Sequence, residues 1–498
     1  MFLPRSTLLP LTAIASCAML AGACTPLDEP AVPIAGSPVA TSSSVAPPAD
    51  PQPTSPSPST SKTTAKATST PRPSATTPLS PSSTPTAPSP TPPTSGASEV
   101  TTPTGSGIKR SVSSYAGLLA AISVARPGDV ISLAPGTYVG TVPIKGISGT
   151  PSAPITIEPA GTGAVTLRAN LPMPSCGASG PDENRTITFA SGSSWWTLRG
   201  LNIQGGVMVA GKGASAAQRW LTSKVNAKDY TARRAIPGRG VNDPVAARSA
   251  LASLSRIVGE QIVPSDGITF DGDVISVKGI HSRASRYGVI RRSAIRDIAC
   301  GTGPAVWLGN YSDGWTISGN TVTKVAASTA SHYMQEGIRI GGASNYNLVS
   351  GNLITDLPGD GRAFTTDVDS SYNTFRGNAA SGVAIGFNEQ MSGWGNRWEG
   401  NRASDYRTAG FSIRMMDGTL SAPSRHSSSY DVVMRCNAAI GAKDFQAGGM
   451  ANGVLGPNSF TEIDLSNNLR KYFVAANNLF NGAKVVPAPV VSPTLAGC

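Results

Sequence analysis

The chain has 498 residues and a formal net charge of +11 at neutral pH. Residues 1–105 carry four basic and four acidic groups, so the excess of positive charge belongs to residues 106–498. Arg outnumbers Lys in that part by 26 to 10, and the planar guanidinium matches carboxylate, sulfate and phosphate groups. The balance favours an anionic partner, but a solvated Arg surface would give the same total, so charge alone identifies no ligand.

Residues 1–23 are typical of a lipoprotein export signal. Arg5 supplies a positive charge, and the apolar run from Leu8 to Leu20 is too short and too interrupted to span a bilayer. The segment Leu20-Ala-Gly-Ala-Cys24 resembles a lipoprotein cleavage site, which would make Cys24 the lipidated first residue. Cys17 is a rival site, and ordinary secretion after cleavage near Ala23 is the alternative. We expect export and a lipid anchor on the outer face of the cell membrane.

Residues 24–105 are dominated by Pro, Ser, Thr and Ala, and they bury too little apolar surface to offset the entropy of ordering. We interpret this stretch as a disordered tether. Residues 106–498 then form the folded domain. Its four cysteines can make two disulfides in any of three pairings: Cys176, Cys300, Cys436 and Cys498. For an exported domain with this charge, the expected partner is an acidic polysaccharide or cell-wall glycan, and not nucleic acid.

The domain begins with a predicted helix over 114–126, where Leu118, Leu119 and Ile122 recur at helical spacing. Pro127-Gly-Asp ends it, and three predicted strands follow at Val130–Tyr138, Pro154–Pro159 and Ala164–Leu167. A helix in this place would cover the open edge of the first strands.

A seven-residue phrase then recurs down the chain. The phrase ends in Asn in all six copies from the third onward, and stacked Asn side chains form hydrogen-bonded ladders in arrays of this kind. The copies start at Trp195, Tyr287, Gly314, Tyr346, Tyr372, Gly395, Asp431 and Tyr472. A short strand, a turn and an Asn at a period of 23 to 41 residues predict stacked coils. We therefore interpret Asn320, Asn352, Asn378, Asn401, Asn437 and Asn478 as structural residues.

Residues 205–266 interrupt the repeat. Ala216–Leu221 and Pro244–Gln261 have helical patterns, with Leu251, Leu254, Ile257 and Val258 on one face of the second. This segment is predicted to be an inserted lobe, either a lid over a binding groove or a packing decoration.

The segment Leu118–Tyr138, together with Ser152-Ala-Pro-Ile-Thr-Ile, resembles the entrance of right-handed parallel β-helix proteins of the pectate-lyase-like superfamily, and within it the family of alginate lyases and chondroitinase B. The resemblance implies an all-β, single-stranded solenoid with a capping helix and a helical insertion. Many chemistries use this scaffold, so the resemblance speaks for the fold more than for an activity.

Alternation along the predicted strands places Val306, Ile338, Ile340, Phe364, Ile385, Phe387, Phe411 and Ile413 inward. The outer face then gathers polar and aromatic residues that could hold a sugar: Trp307, Arg339, Arg362, Asn388, Gln390 and Arg414. The carboxylates beside them are the candidate acid, base or nucleophile, since pairs on adjacent coils fall in the separation used by glycoside hydrolases. Asp367 and Glu389 are the first choices, followed by Asp369, whereas His332 is a possible general acid or base on a loop.

The same carboxylates have alternative roles. Oxygen ligands of this kind can bind calcium, for which Asp360 and Glu336 are the candidates. Asp367 and Asp369 could instead cap a turn through backbone hydrogen bonds.

The resemblance extends to one candidate strand, because Glu336-Gly-Ile-Arg-Ile-Gly341 is similar to a Glu-x-Ile-Arg-Ile-Gly segment of the lyase family. In that family acidic calcium ligands and a catalytic lysine follow one coil later, where this chain has Asp360, Arg362 and then Asp367. Asn388 stands near the place of the family's catalytic arginine. The lysine base is not matched, which argues against direct transfer of β-elimination.

The leading hypothesis is a surface-anchored protein that cleaves glycosidic bonds of an acidic polysaccharide by hydrolysis or β-elimination. A non-catalytic glycan- or wall-binding protein is the main alternative, and a polysaccharide epimerase is another.

Overall fold

The computed structural model describes residues 107–170, 185–226, 244–299, 303–326, 335–389, 395–413, 431–440, 473–476, 478–480 and 483–485. Almost all strand pairing in these residues is parallel, and each strand pairs with the equivalent strand of the next coil. Successive coils thereby build three long ladders, each defined below by its strands. The protein is a right-handed parallel β-helix, with the stacked coils that the repeat predicted and the fold that the resemblance implied.

Ladder 1 holds the strands of the repeated phrase in its later coils. In pairing order it contains β1 Lys109–Val112, β2 Val130–Leu133, β5 Ile155–Pro159, β8 Trp196–Arg199, β12 Thr269–Asp271, β16 Val289–Arg291, β20 Thr316–Ser318, β23 Leu348–Ser350, β26 Thr374–Arg376, β28 Arg397–Glu399, β30 Val432–Arg435 and β32 Phe473–Ala476.

Ladder 2 follows the Asn-bearing turn. It contains β3 Gly136–Val139, β6 Val165–Arg168, β9 Asn202–Gln204, β13 Val274–Val277, β17 Ala294–Ile298, β21 Thr321–Val325, β24 Leu353–Thr355, the first part of β27 Ala379–Glu389 and of β29 Arg402–Ile413, β31 Ala438–Ile440 and β33 Asn478–Phe480. The last strand, β34 Ala483–Val485, pairs antiparallel with β33.

Ladder 3 carries the candidate site. It contains β4 Val142–Lys145, β7 Ile187–Ala190, β10 Val207–Ala210, β14 Ile280–Arg283, β18 Val306–Leu308, β22 Glu336–Ile340, β25 Arg362–Thr366 and the second parts of β27 and β29. Three two-residue strands form a small separate sheet: β11 Ser265–Asp266, β15 Ser285–Arg286 and β19 Ser312–Asp313.

The predicted first helix is confirmed as α1, Tyr115–Ser123. Ser114 has extended backbone and its hydroxyl accepts a hydrogen bond from the Gly117 amide, so it caps the first turn. Leu118 and Ile122 are buried against the first coil. Within the described residues no helix is long and apolar enough to cross a membrane.

The interior follows the predicted alternation with one exception. Val306, Ile338, Ile340, Phe364, Phe387 and Phe411 are fully buried, and stacked rings continue from coil to coil. The prediction for Ile385 was wrong, since it is only half-buried and Val383 takes the inner position. Ile385 pairs with Arg362 of the preceding coil, and it stands before two consecutive inward residues, Gly386 and Phe387, which shift it to the outer face. The side chain of Ile413 lies outside the described residues.

The repeated phrase is explained by its first and last positions. Tyr287, Tyr346 and Tyr372 have φ near +58°, and the equivalent Gly314 and Gly395 have φ of +69°, so the turn requires a left-handed residue. At the other end, the Asn side chains bond in series: Nδ2 donates to the next Oδ1 at 2.9 to 3.1 Å from Asn320 through Asn352, Asn378 and Asn401 to Asn437. A second Asn series joins Asn347, Asn373 and Asn396.

The insertion contains α2, Ala214–Asn226, and α3, Pro244–Val258. Leu251 and Leu254 of α3 are buried against α2 and against turn residues of three successive coils: Ala284, Tyr311 and Ala343. Ile257, predicted on the same face, is 48% exposed. The lobe therefore packs beside ladder 3, on the turns that end its strands.

Much of the Arg excess is paired within the protein. On the outer face of ladder 1, Asp271 contacts Arg291 and Arg292, while Glu399 contacts three guanidinium groups, those of Arg376, Arg397 and Arg435. Cys436 is disulfide-bonded. Cys176, Cys300 and Cys498 lie outside the described residues.

Candidate functional site

A single row of side chains runs along the outer face of ladder 3. Register pairing aligns Met208, His281, Trp307, Arg339, Thr365, Asn388 and Ser412 on successive coils. We call these seven residues the outer row. Each alternates with core side chains of its own strand, as Arg339 does between Ile338 and Ile340. The stacking of coils thus brings Trp307, Arg339 and Asn388 together.

Several polar atoms of the outer row are buried and unsatisfied. In the part of the chain that the structure describes, Trp307 Nε1, Thr365 Oγ1, Asn388 Nδ2 and Ser412 Oγ have no hydrogen-bond partner. Leaving a buried polar group unpaired costs about 1–3 kcal/mol, so native proteins contain few of them. Four such atoms lie together in this one row.

Arg339 joins two carboxylates of neighbouring coils. Its Nη1 lies 2.7 Å from Glu336 Oε2, and its Nη2 lies 2.7 Å from Asp367 Oδ2. Arg362 Nη1 reaches Glu336 Oε1 at 3.4 Å. We call these four residues the carboxylate–arginine cluster. Two guanidinium groups balance two carboxylates. Burying these paired charges therefore costs less free energy than burying one unpaired charge.

Glu336 and Arg339 share one face because the strand between them is irregular. Gly337 and Ile338 both face the interior: a Cβ on Gly337 would contact the Ile354 side chain, and Ile338 is fully buried. The next coil repeats this with Ala363 and Phe364, both in the core. Two consecutive inward residues return the chain to the outer face three positions later, which brings Glu336 within reach of Arg339.

Asp367 also takes part in its own turn, because Val368 N donates to Asp367 Oδ1 at 2.7 Å. Val368 and Asp369 both have positive φ, at +35° and +58°. The two preceding coils have the same pair of left-handed residues, at Asn310 and Tyr311 and at Gly342 and Ala343. The conformation thus belongs to the repeated turn. Asp369 is buried in this turn, whereas Asp360 is exposed on the turn before β25.

Glu389 lies on the inner side of the coil. Its strand pairs it with Thr366, and its carboxylate accepts hydrogen bonds from Trp398 Nε1 at 2.6 Å and Asn396 Nδ2 at 3.0 Å. Burial raises the pKa of Glu389 to about 7, although both hydrogen bonds oppose this shift. Trp398 is fully buried in the core. The structure therefore separates Glu389 from Asp367: one carboxylate faces the core and the other faces outward.

His281 is a member of the outer row that the sequence reasoning did not select. Its ring stacks on Trp307 with centroids 4.2 Å apart, and Arg283 Nε lies 3.3 Å from His281 Nε2. Burial, together with the charges of Arg283 and Arg185, lowers the pKa of His281 well below its ordinary value, so the imidazole is neutral at neutral pH. Aligning Gly279-Ile-His281 with Ala305-Val-Trp307 would have found it.

Trp307 cannot offer a free ring face to a sugar. His281 covers one side, and the Arg339 guanidinium carbon lies 5.7 Å from the Trp307 ring centroid. The indole Nε1, at the edge of the ring, is itself buried and has no hydrogen-bond partner among the described residues.

A cavity of about 330 Å³ lies where the outer row meets the insertion. Thr188, Met208 and Arg283 line it from ladder 3, and Gly213, Ser215 and Glu260 line it from the insertion. The lobe therefore forms one wall of a recess on the candidate face.

Of the other predicted site residues, His332, Gln390, Arg414 and Cys24 lie outside the described residues. The proposed calcium ligands differ in their surroundings, since Glu336 is ion-paired and Asp360 is exposed. Among the described side chains, no group of three or more His, Cys, Asp or Glu could hold a metal ion.

No protein-family model and no curated protein matches the chain. Solved structures with a similar course of the chain include the alginate lyase from Paenibacillus sp. str. FPU-7, with 16% identity, 77% of this chain and 98% of that chain covered, and a TM-score of 0.31. A rhamnogalacturonan lyase has 14% identity, 76% and 90% coverage, and a TM-score of 0.45. The lacto-N-biosidase from Eubacterium ramulus has 11% identity, 75% and 67% coverage, and a TM-score of 0.39. At these values the assignment of the fold rests on the strand pairing itself.

Proposed function

We propose that the protein binds an acidic polysaccharide along the outer row of ladder 3 and cleaves its glycosidic bonds. The observation that carries the proposal is the line of buried, unsatisfied polar atoms from Trp307 to Ser412. A sugar chain presents hydroxyl and carboxylate oxygens along its length, and these can complete such bonds at several coils at once. The net charge of +11 favours an anionic chain.

In this proposal Asp367 acts as the acid, base or nucleophile, because it is the outward carboxylate beside the outer row. Arg339 orients it through the 2.7 Å ion pair, and Arg362 balances the charge of Glu336. Glu389, with its carboxylate bonded to Trp398 and Asn396 on the inner side, contributes to the packing of the site rather than to the reaction.

The test is incubation of the full chain with a panel of acidic and neutral glycans. New reducing ends with the ultraviolet absorbance of an unsaturated uronate would indicate elimination, and reducing ends without it would indicate hydrolysis. A changed sugar stereochemistry without cleavage would indicate an epimerase. Asp367→Asn should abolish the reaction, whereas the matched exposed change Asp405→Asn should not. Full activity of Asp367→Asn would overturn the role of Asp367.

A second candidate function is glycan binding without cleavage. It is favoured by the compensation of charge in the cluster, since both Glu336 and Asp367 are engaged by Arg339. Binding of a glycan from the panel with neither cleavage nor epimerisation would select this function.

We also propose that the domain is held at the cell surface by a lipid on Cys24. The apolar run followed by Leu20-Ala-Gly-Ala-Cys24 supports this. A Cys24→Ala variant should appear in the medium instead of the membrane fraction, and its retention in the membrane would contradict the proposal.

A further inference from the structure

A second line of positions runs beside the outer row, two residues further along each strand. It passes from Arg283 through Gly309 and Gly341 to Asp367 on four successive coils, as the pairing of the preceding residues shows. Coils are about 4.8 Å apart, so two adjacent glycines leave a bare stretch between a cation and a carboxylate. We call Gly309 and Gly341 the glycine gap.

Backbone conformation does not explain these glycines, since neither has a positive φ. Their significance lies in the atoms around them. A Cβ on Gly309 would lie 3.1 Å from Trp307 Nε1 and 3.3 Å from His281 Nε2. A Cβ on Gly341 would lie 3.4 Å from Arg339 Nε and 3.7 Å from Trp307 Nε1. The space that a side chain would take is therefore bordered by nitrogen atoms of the outer row.

The chemistry around the gap is that of a site for oxygen acceptors. Trp307 Nε1 is a donor only, it is buried, and no described residue accepts its hydrogen bond. Arg283 stands at one end of the gap and also lines the 330 Å³ cavity beside the insertion. Arg283 thus borders both the gap and the cavity, and positive or donor groups outnumber the single carboxylate of Asp367.

We propose that the glycine gap is a sugar subsite next to the carboxylate–arginine cluster, in which Trp307 Nε1 donates to a ring hydroxyl or carboxylate oxygen. The next sugar of the chain then lies in the cavity, with its anionic group toward Arg283. This inference rests on the proposed function and adds to it a direction, because the substrate extends from Asp367 toward the insertion.

The test compares three variants of the full chain. Gly341→Ala fills the gap with a methyl group at ordinary contact distances, and Trp307→Phe keeps a ring against His281 but removes the Nε1 donor. Gly161→Ala is the matched control, since a Cβ there would have no atom within 4 Å. Affinities for polygalacturonate and alginate are measured by isothermal titration calorimetry, with thermal unfolding of each variant.

We expect Gly341→Ala and Trp307→Phe to weaken binding by at least about tenfold, while Gly161→Ala leaves it unchanged. The melting temperature of Gly341→Ala should not fall, because the backbone accepts Ala and the unfolded chain loses freedom. Unchanged affinity of both variants, with binding by the wild type, would overturn the subsite and leave the proposed function standing. A wild type that neither binds nor cleaves any glycan of the panel would overturn both the subsite and the proposed function.

Discussion

The imidazole of His281 and the indole of Trp307, on adjacent coils, lie 4.2 Å apart with their planes inclined by only 5°. The Arg339 guanidinium follows on the other side of the indole. Ring stacking adds about 0.5–1.5 kcal/mol beyond buried area, so the three side chains hold one another in a fixed order along ladder 3. The orientation of Arg339, and through it that of Asp367, therefore depends on the stacked rings of His281 and Trp307.

Replacing Arg339 by Met should destabilise the protein by about 3–5 kcal/mol, because Glu336 and Asp367 would lose the cation they share. Urea denaturation measures this, with the exposed Arg402→Met as control. Adding Asp367→Asn to Arg339→Met should recover part of the loss. A cost below about 1 kcal/mol would contradict the view that the cluster is held by its ion pairs.

Asp273→Asn should stabilise the protein at alkaline pH. Burial, and secondarily the charge of Asp271, raises the pKa of Asp273 to about 7, although the amides of Leu201 and Asp271 donate to it. A raised folded-state pKa means that stability is fully present below the unfolded value of 3.8 and is lost as the pH rises through about 7.

The raised pKa of Asp273 costs the wild type on the order of 4 kcal/mol of folding stability. Asn removes the charge and continues the Asn series, which reaches this position through Ser293 and Asn320. In thermal melts from pH 4 to pH 9, the melting temperature of the variant should increase relative to that of the wild type as the pH rises. Parallel curves for the two proteins would contradict the assignment.

Glu399→Gln should have the opposite pH dependence. Burial alone would raise the pKa of Glu399, but Arg397, Arg376 and Arg435 outweigh it and hold the pKa below its ordinary value. This stabilisation is present above the unfolded pKa of about 4.5 and is lost as the pH falls. Because the arginines are partly exposed, we expect a cost of only about 1 kcal/mol at pH 7, decreasing at pH 3 and in high salt. A cost that grows toward low pH would be the contrary result.

Asn378→Ala should be among the most damaging single substitutions in the repeat. The Asn378 amide donates to Val349 O and Asn401 Oδ1, and its Oδ1 accepts from both nitrogens of Asn352. Its loss leaves several buried groups unpaired, at about 1–3 kcal/mol each. The half-buried Asn202→Ala is the control, and urea denaturation measures both. Equal costs for the two variants would show that the Asn series does not stabilise the coils.

The amino-acid pattern alone predicted the architecture. A strand, a left-handed position and an Asn recur because each coil makes the same turn and forms the same buried hydrogen bonds. Gly314 to Asn320 and Tyr346 to Asn352 are two such segments. The alternation that places Ile338 and Phe364 inside is a local property of strands, so it too can be predicted from the amino-acid sequence.

Only the tertiary structure decided which further side chains join the predicted outer face and which leave it. The second Asn series, the double inward step at Gly337 and Ile338, and the inner position of Glu389 depend on how each strand pairs with the next. One extra residue in a strand moves every later side chain to the other face, and nothing in the local sequence marks that residue. Composition and period therefore determined stacked coils, whereas register between coils placed His281 beside the predicted Trp307 and Arg339 and placed Glu389 on the inner side.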